Sequence, residues 1–159
     1  LTRYQLRATL YQVPFGELQR HIIAFVPADH RMIIYRRCMM RILNRLAAQE
    51  GAKAIVTGDA VGQVASQTLD QPHCIQSASY LPVLSPLVGM NKDETITLAK
   101  QIGTYDHSIV PYPDCCSFMI AQHPETRGVL EIVNQFEANI DGLEELLLAA
   151  VDGAERTEF

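Results

Sequence analysis

An α/β fold built on a largely parallel sheet is what this sequence predicts, and three observations carry the prediction. Stretches of β-formers and stretches with helical spacing alternate through the first two-thirds of the chain, the pattern of strands joined by crossovers. The short apolar run Ala54-Ile55-Val56 reads as a buried strand, and the residues after it, Thr57 to Leu69, turn into a helical pattern. At 159 residues, 48% apolar and 19% charged, the chain suits one globular domain with a substantial core.

Taken in order, Arg7 to Phe15 (RATLYQVPF) is rich in β-formers and ends in a turn at Pro14. Gly16 to Val26 places Leu18, Ile22, Ile23 and Val26 at helical spacing, and Pro27-Ala28-Asp29-His30 breaks it. Arg31 to Gln49 is the strongest helix. Met32, Tyr35, Met39, Ile42, Leu43 and Leu46 form its apolar face, Arg37, Arg41 and Arg45 repeat at i, i+4, i+8 on another, and Gly51 ends it. A strand follows at 53–57, then a helix to about Leu69, stopped by Asp70-Gln71-Pro72. Residues 81–88 (LPVLSPLV) are a proline-punctuated strand suited to an edge or an irregular connection. Asn91 is an N-cap with Glu94 at the capping-box position, for a helix to Ile102 whose Ile96, Ala99 and Ile102 face inward and whose C′ residue is Gly103. Residues 111–116 are a loop by their prolines, and one or two further helices cover about 124–153.

Thr57 to Leu69 is the candidate ligand loop. A strand, two glycines (Gly58 and Gly62) and a helix start are the layout in which backbone N–H groups face a phosphate or a nucleoside. An ordinary strand-to-helix turn explains the glycines equally well. Gln63, Ser66 and Gln67 favour the ligand reading, because long amides in a small-residue helix suit hydrogen bonding better than packing.

Charge is unevenly spread. Residues 1–45 hold eight arginines and two acids, a balance of +6, whereas the remainder carries −11, for −5 in all. The chain is therefore no polycation seeking nucleic acid, and a localised anion-binding face with the acidic part solvated is expected. The arginines of the 31–49 helix repel one another at their spacing; either they form a solvated face, or Arg36, Arg37 and their neighbours meet phosphate or RNA. No apolar run approaches the roughly 18 residues of a membrane span and no stretch reads as a secretory leader, so the cytoplasm is the expected compartment. Leu1-Thr2-Arg3-Tyr4-Gln5 reads as the end of a helix, and a chain cut from a longer one is expected.

Cys38, Cys74, Cys115 and Cys116 form no C-x-x-C pair, which leaves no support for a zinc ribbon or a thioredoxin-like motif. The Cys115-Cys116 doublet on a proline-rich loop suits a reactive thiolate or a persulfide carrier. The plainer alternative buries one as a small apolar residue and leaves the other incidental. His107 and His123 would lower a thiol pKa if close, and otherwise read as surface residues.

These blocks together resemble the C-terminal half of the PP-loop ATPase domain of the tRNA 4-thiouridine synthase family, also known as tRNA sulfurtransferases or thiamine-biosynthesis ThiI proteins. The resemblance runs to about residue 128 through Tyr35-Arg36-Arg37-x-Met39-x-Arg41, Thr57-Gly58-Asp59, GQVASQTL over 62–69, Pro86-Leu87 with Lys92, Ile102-Gly103-Thr104, Asp114-Cys115-Cys116 and His123-Pro124-x-Thr126. It implies a Rossmann-like PP-loop three-layer sandwich (the adenine nucleotide alpha hydrolase class), with residues 1–128 as the C-terminal part of that domain and 129–159 as its helical extension. It also implies a reaction: ATP, with Mg2+, adenylates O4 of a tRNA uridine, and a cysteine persulfide loaded by a cysteine desulfurase delivers sulfur, with thiamine thiazole synthesis as a second use of that sulfur. By position, Arg36, Gly58 and Gln67 match nucleotide-binding residues, and the sulfur-handling cysteine is Cys115 or Cys116. A non-catalytic nucleotide- or partner-binding relative is the alternative.

Three departures bear on this. The family's S-G-G-x-D-S phosphate loop and the strand before it have no counterpart in these residues, nor do its tRNA-holding modules, and Ser85 stands where the family usually has Arg. The strand belongs between those at 8–13 and 54–57, so a split sheet with apolar edges is expected, completed by a longer chain or, in a homodimer, by another copy. Membrane association is not expected.

Overall fold

The computed structural model describes residues 4–61, 69–111, 125 and 127–159. The chain is α/β. Its elements run β1 (Thr9–Gln12), α1 (Gly16–Phe25), α2 (Arg31–Glu50), β2 (Ile55–Val56), α3 (Asp70–Gln76), β3 (Val83–Leu84), α4 (Lys92–Gln101), α5 (Tyr105–Ser108), α6 (Leu130–Ala138), α7 (Leu143–Asp152) and β4 (Glu155–Glu158).

The helix α2 is the axis of the molecule, with α1, α3, α6 and α7 packed around it. Ile33, Ile34, Tyr35 and Cys38 on α2 are buried against Leu18 and Ile22 of α1, Cys74 and Ile75 of α3, Val133 of α6 and Leu147 of α7. Its end follows from Gly51, whose φ of 66° lies in the left-handed region. There the Ala52 amide donates to the Ala47 carbonyl at 2.8 Å, returning a carbonyl that the helix end would otherwise strand. The helix α4 starts as predicted: the Glu94 amide donates to Asn91 Oδ1 at 2.9 Å, and the Asn91 amide to Glu94 Oε2 at 2.8 Å. Ile102, expected to face inward, is exposed.

Among the described residues the strands fall into two separate pairs. Parallel pairing of β2 with β3 sets Ile55 opposite Val83 and Val56 opposite Leu84. Antiparallel pairing of β1 with β4 sets Thr9 opposite Glu158 and Gln12 opposite Glu155. β4 has no counterpart in the sequence reading, because Glu155-Arg156-Thr157-Glu158 is exposed at every position and has no apolar alternation to announce a strand. The sequence reading missed α3: Asp70-Gln71-Pro72 opens it, with Pro72 in the first turn, where a missing N–H costs nothing, and the helix expected before it lies outside the described residues.

Between β1 and β2 lies an open apolar groove of about 650 Å³. Tyr11, Val13 and Phe15 line one side, Ile55 and Val56 the other, with Met39, Ile42, Leu43 and Leu46 as its floor. This divides the predicted apolar face of α2. Its Tyr35 enters the core, whereas Met39 and Leu43 remain exposed to the groove.

Candidate functional site

The arginine row of α2 is paired within the chain. Arg37 is buried and donates through NH2 to Glu137 Oε2 and Asn134 Oδ1, both at 2.8 Å, and through NH1 to Ser77 Oγ at 2.7 Å and to the Cys74 carbonyl. Arg41 donates to the same Glu137 oxygen at 2.8 Å, and Arg45 pairs with Glu144. Burial works against the charged Glu137 carboxylate, but the hydrogen bonds from Arg37 and Arg41 more than offset it and hold its pKa below the ordinary value. The expectation of a solvated or anion-seeking arginine face is thus corrected for these three residues. Part of the acidic C-terminal segment is their counter-charge, which places opposite charges of the two halves in contact.

Arg36 is turned elsewhere. Its guanidinium pairs with Asp59 Oδ1, 23 residues further along the chain. Asp59 follows β2, and its second oxygen, Oδ2, accepts from the Thr57 hydroxyl at 2.9 Å. Thr57 Oγ1 also lies 2.9 Å from Ser85 Oγ, directly after β3. The Thr57 amide donates to the Leu84 carbonyl at 2.9 Å, and the Val61 amide to the Val88 carbonyl at 3.2 Å, so the segments leaving β2 and β3 stay paired past the strands. These residues sit at the carboxyl ends of two parallel strands, where open α/β sheets hold their ligands.

Gly58 lies between Thr57 and Asp59. Among the described residues a Cβ built there meets no atom within 4 Å, and its φ is outside the left-handed region, so none of them calls for glycine at this position by packing. Arg36 and Gly58 are therefore brought together at one strand end. Gln67, together with Gln63 and Ser66, lies outside the described residues, as do Cys115, Cys116 and His123. His107, which is described, is exposed on α5. Asp59, Thr57 and Ser85 are linked to Arg36 by hydrogen bonds and were not among the predicted site residues. Asp59 was legible as a lone acid straight after a strand, but nothing in the sequence couples it to a helix two elements earlier.

The chemistry available among the described residues is that of anion and polar-group binding. Burial pushes the Cys38 thiol up to about 12, and burial likewise raises that of Cys74, so both are poor nucleophiles. Among the described residues no group of three or more His, Cys, Asp or Glu side chains could hold a metal ion, and no helix is long and apolar enough to cross a membrane.

Three comparisons bear on identity. The family model described as thiamine biosynthesis protein (ThiI) matches residues 1–141. A probable tRNA sulfurtransferase of Thermus thermophilus is 48% identical over 149 residues, covering 94% of this chain and 37% of the relative. A crystal structure of a 4-thiouridine synthetase–RNA complex with bound ATP superposes with a TM-score of 0.92 at 37% identity, covering 96% of this chain and 40% of that one. The chain thus spans well under half the length of the relatives it matches. Such identity, spread over nearly the whole chain and joined to the same fold, means that this chain belongs to the ThiI thiamine-biosynthesis family.

Proposed function

We propose that this chain supplies the nucleoside-facing part of the ATP site of a tRNA sulfurtransferase that forms 4-thiouridine. The observation that carries the reading is the convergence of Arg36, open Gly58 and the Thr57–Asp59–Ser85 cluster at the carboxyl ends of β2 and β3. A planar guanidinium with donors to spare suits a phosphate, and a glycine backbone with open space against it suits close approach of a nucleotide. Bound ATP in the solved relative and the sulfurtransferase name of the Thermus relative support the same direction.

In this reading Arg36, Gly58 and Gln67 hold the nucleotide, with Mg2+ accompanying it. ATP serves to activate uridine O4 as an adenylate; the terminal sulfur of a persulfide on Cys115 or Cys116, loaded by a cysteine desulfurase, displaces AMP, and a second thiol then forms a disulfide with the carrier cysteine and frees the thiouridine. The same sulfur would serve thiamine thiazole synthesis, and the cytoplasm is the compartment. Residues 1–128 form the C-terminal part of a PP-loop domain and 129–159 its extension. Packing of α6 and α7 on α2, and pairing of β4 with β1, support one unit. The groove between β1 and β2 supports an incomplete sheet: a further strand laid there would join the two strand pairs into one mainly parallel sheet, as a Rossmann-like PP-loop sandwich requires. That strand comes from a longer chain or from a second copy.

The test is 4-thiouridine formation by the full-length protein with ATP, desulfurase and tRNA. Arg36→Ala should raise the KM for ATP, and Cys115→Ser with Cys116→Ser should abolish thiolation. Full activity in the two single cysteine variants and the double variant would refute the cysteine assignment. A non-catalytic nucleotide- or partner-binding module is the second reading, favoured by Ser85, whose hydroxyl meets Thr57 and brings no cation to the site. Calorimetry with ATP and AMP separates the two, since turnover excludes the second.

A further inference from the structure

We propose that Asp59 is a positioning residue for Arg36, held in place by a hydroxyl relay from Thr57 and Ser85, and that it sets the affinity of the site for phosphate-bearing nucleotides. The inference rests on the nucleotide reading given above and adds the residues that aim its cation.

Of the four arginines Arg36, Arg37, Arg41 and Arg45, the last three spend their charge on Glu137 and Glu144. Arg36 alone reaches the loop after β2, and its side chain keeps 29% of its surface open. A guanidinium on a flexible stem would sample many orientations there. Asp59 Oδ1 pins one NH2 group, and among the described residues no other side chain or carbonyl takes up the remaining N–H donors, which suit a ligand.

Asp59 is itself constrained. The single hydroxyl proton of Thr57 is committed to Asp59 Oδ2 at 2.9 Å. Toward Ser85, 2.9 Å away, Thr57 can then act only as an acceptor, so the Ser85 hydroxyl must be the donor. The relay therefore has one direction, from Ser85 to Thr57 to Asp59, with Arg36 on the far carboxylate oxygen. Its two hydroxyl members follow directly after paired strands, and the 2.9 Å bond from the Thr57 amide to the Leu84 carbonyl ties their backbones together. A site built on such rigid ends holds its cation better than one built on a free loop.

The carboxylate acts in two opposing ways. It orients Arg36, which favours phosphate binding, and its own charge repels phosphate, which opposes it. The proposal is that orientation outweighs repulsion, and this fixes the sign of the test. Dissociation constants for ATP and for adenosine are measured by calorimetry on the full-length protein and on its Asp59→Asn, Thr57→Val and Arg36→Ala variants. Asp59→Asn should weaken ATP binding by about tenfold, the effect of one charge-assisted hydrogen bond, and leave adenosine binding unchanged. Thr57→Val, which keeps the carboxylate, should act in the same direction by roughly fivefold, and it decides the matter if Asp59→Asn does not fold. Unchanged or tighter ATP binding in these variants overturns the proposal, as does an equal loss for ATP and adenosine, which would mark general distortion. If Arg36→Ala itself leaves ATP binding unmoved, the nucleotide reading falls as well. If Arg36→Ala weakens it and the other two variants do not, only the positioning role falls.

Discussion

Replacing Glu137 by Gln should be among the most damaging single changes this chain can suffer, although the two side chains have almost the same shape. Glu137 is 6% exposed, and its Oε2 accepts from both Arg37 and Arg41 at 2.8 Å. The Arg37 side chain is 3% exposed. Gln keeps an acceptor but removes the charge, leaving a guanidinium buried with no counter-ion. Breaking a buried pair in this way costs about 3–5 kcal/mol, against a total of roughly 5–15 kcal/mol for a typical domain. Arg45–Glu144 provides the internal control: the Glu144 side chain is 63% exposed, so Glu144→Gln should cost less than about 1 kcal/mol. Urea unfolding of the chain, followed by circular dichroism, measures both. Acid should close the gap. The folded Glu137 carboxyl titrates below its ordinary 4.5, so its charge stabilises the fold above that value and the contribution is lost as pH falls below it. The difference between wild type and Glu137→Gln therefore narrows on acidification. The double change Arg37→Met with Glu137→Leu should recover part of the loss: it removes the buried pair, and the Cys74 carbonyl still accepts from Ser77 Oγ at 2.8 Å, but Arg41 loses its acceptor. A Glu137→Gln cost no larger than that of Glu144→Gln would refute the reasoning.

Other outcomes can be checked in parallel. Gly128→Ala should lower stability by about 1–3 kcal/mol in the same urea assay, since the new methyl would sit 3.0 Å from Cys74 Sγ and 3.1 Å from Ile33 Cδ1, both in the core. Cys38, with its thiol pushed up to about 12 by burial, should resist iodoacetamide at pH 8 until the chain unfolds, as followed by peptide mass spectrometry. Val56, 67% exposed at the groove, should tolerate Lys within about 0.5 kcal/mol in this chain but lose more than roughly 2 kcal/mol in the full-length protein if a strand covers it. Equal costs in the two contexts would argue against that strand.

How far the sequence could be read depended on the range of the interactions involved. Features set within a few residues came through. Gly51 closes α2 because its left-handed φ is easy only for glycine, and Asn91 with Glu94 opens α4 because the two side chains reach each other's amides across one turn. Parallel pairing of β2 and β3 agreed with the alternation of elements, whereas the β1–β4 pair is antiparallel and departs from the largely parallel sheet expected. Of the candidate site residues, Arg36 and Gly58 are neighbours in space through Asp59, whereas Gln67, Cys115 and Cys116 lie outside the described residues. What the sequence left undecided was set by distant partners. Arg37 looked like surface because its counter-charge lies 100 residues away, on α6. β4 escaped notice because its partner is β1, at the other end of the chain, and its exposed faces carry no pattern.

By itself, then, the sequence determined the α/β class, the ends of α2 and α4 and the family blocks, since each of these is written in local spacing and local hydrogen bonding. Only the tertiary structure decided which arginines are spent internally and which one faces the strand ends. The physical reason is that a charge has no role until its partner is known: α2 carries Arg36 and Arg37 side by side, and its packing sends one to Asp59 and the other to Glu137.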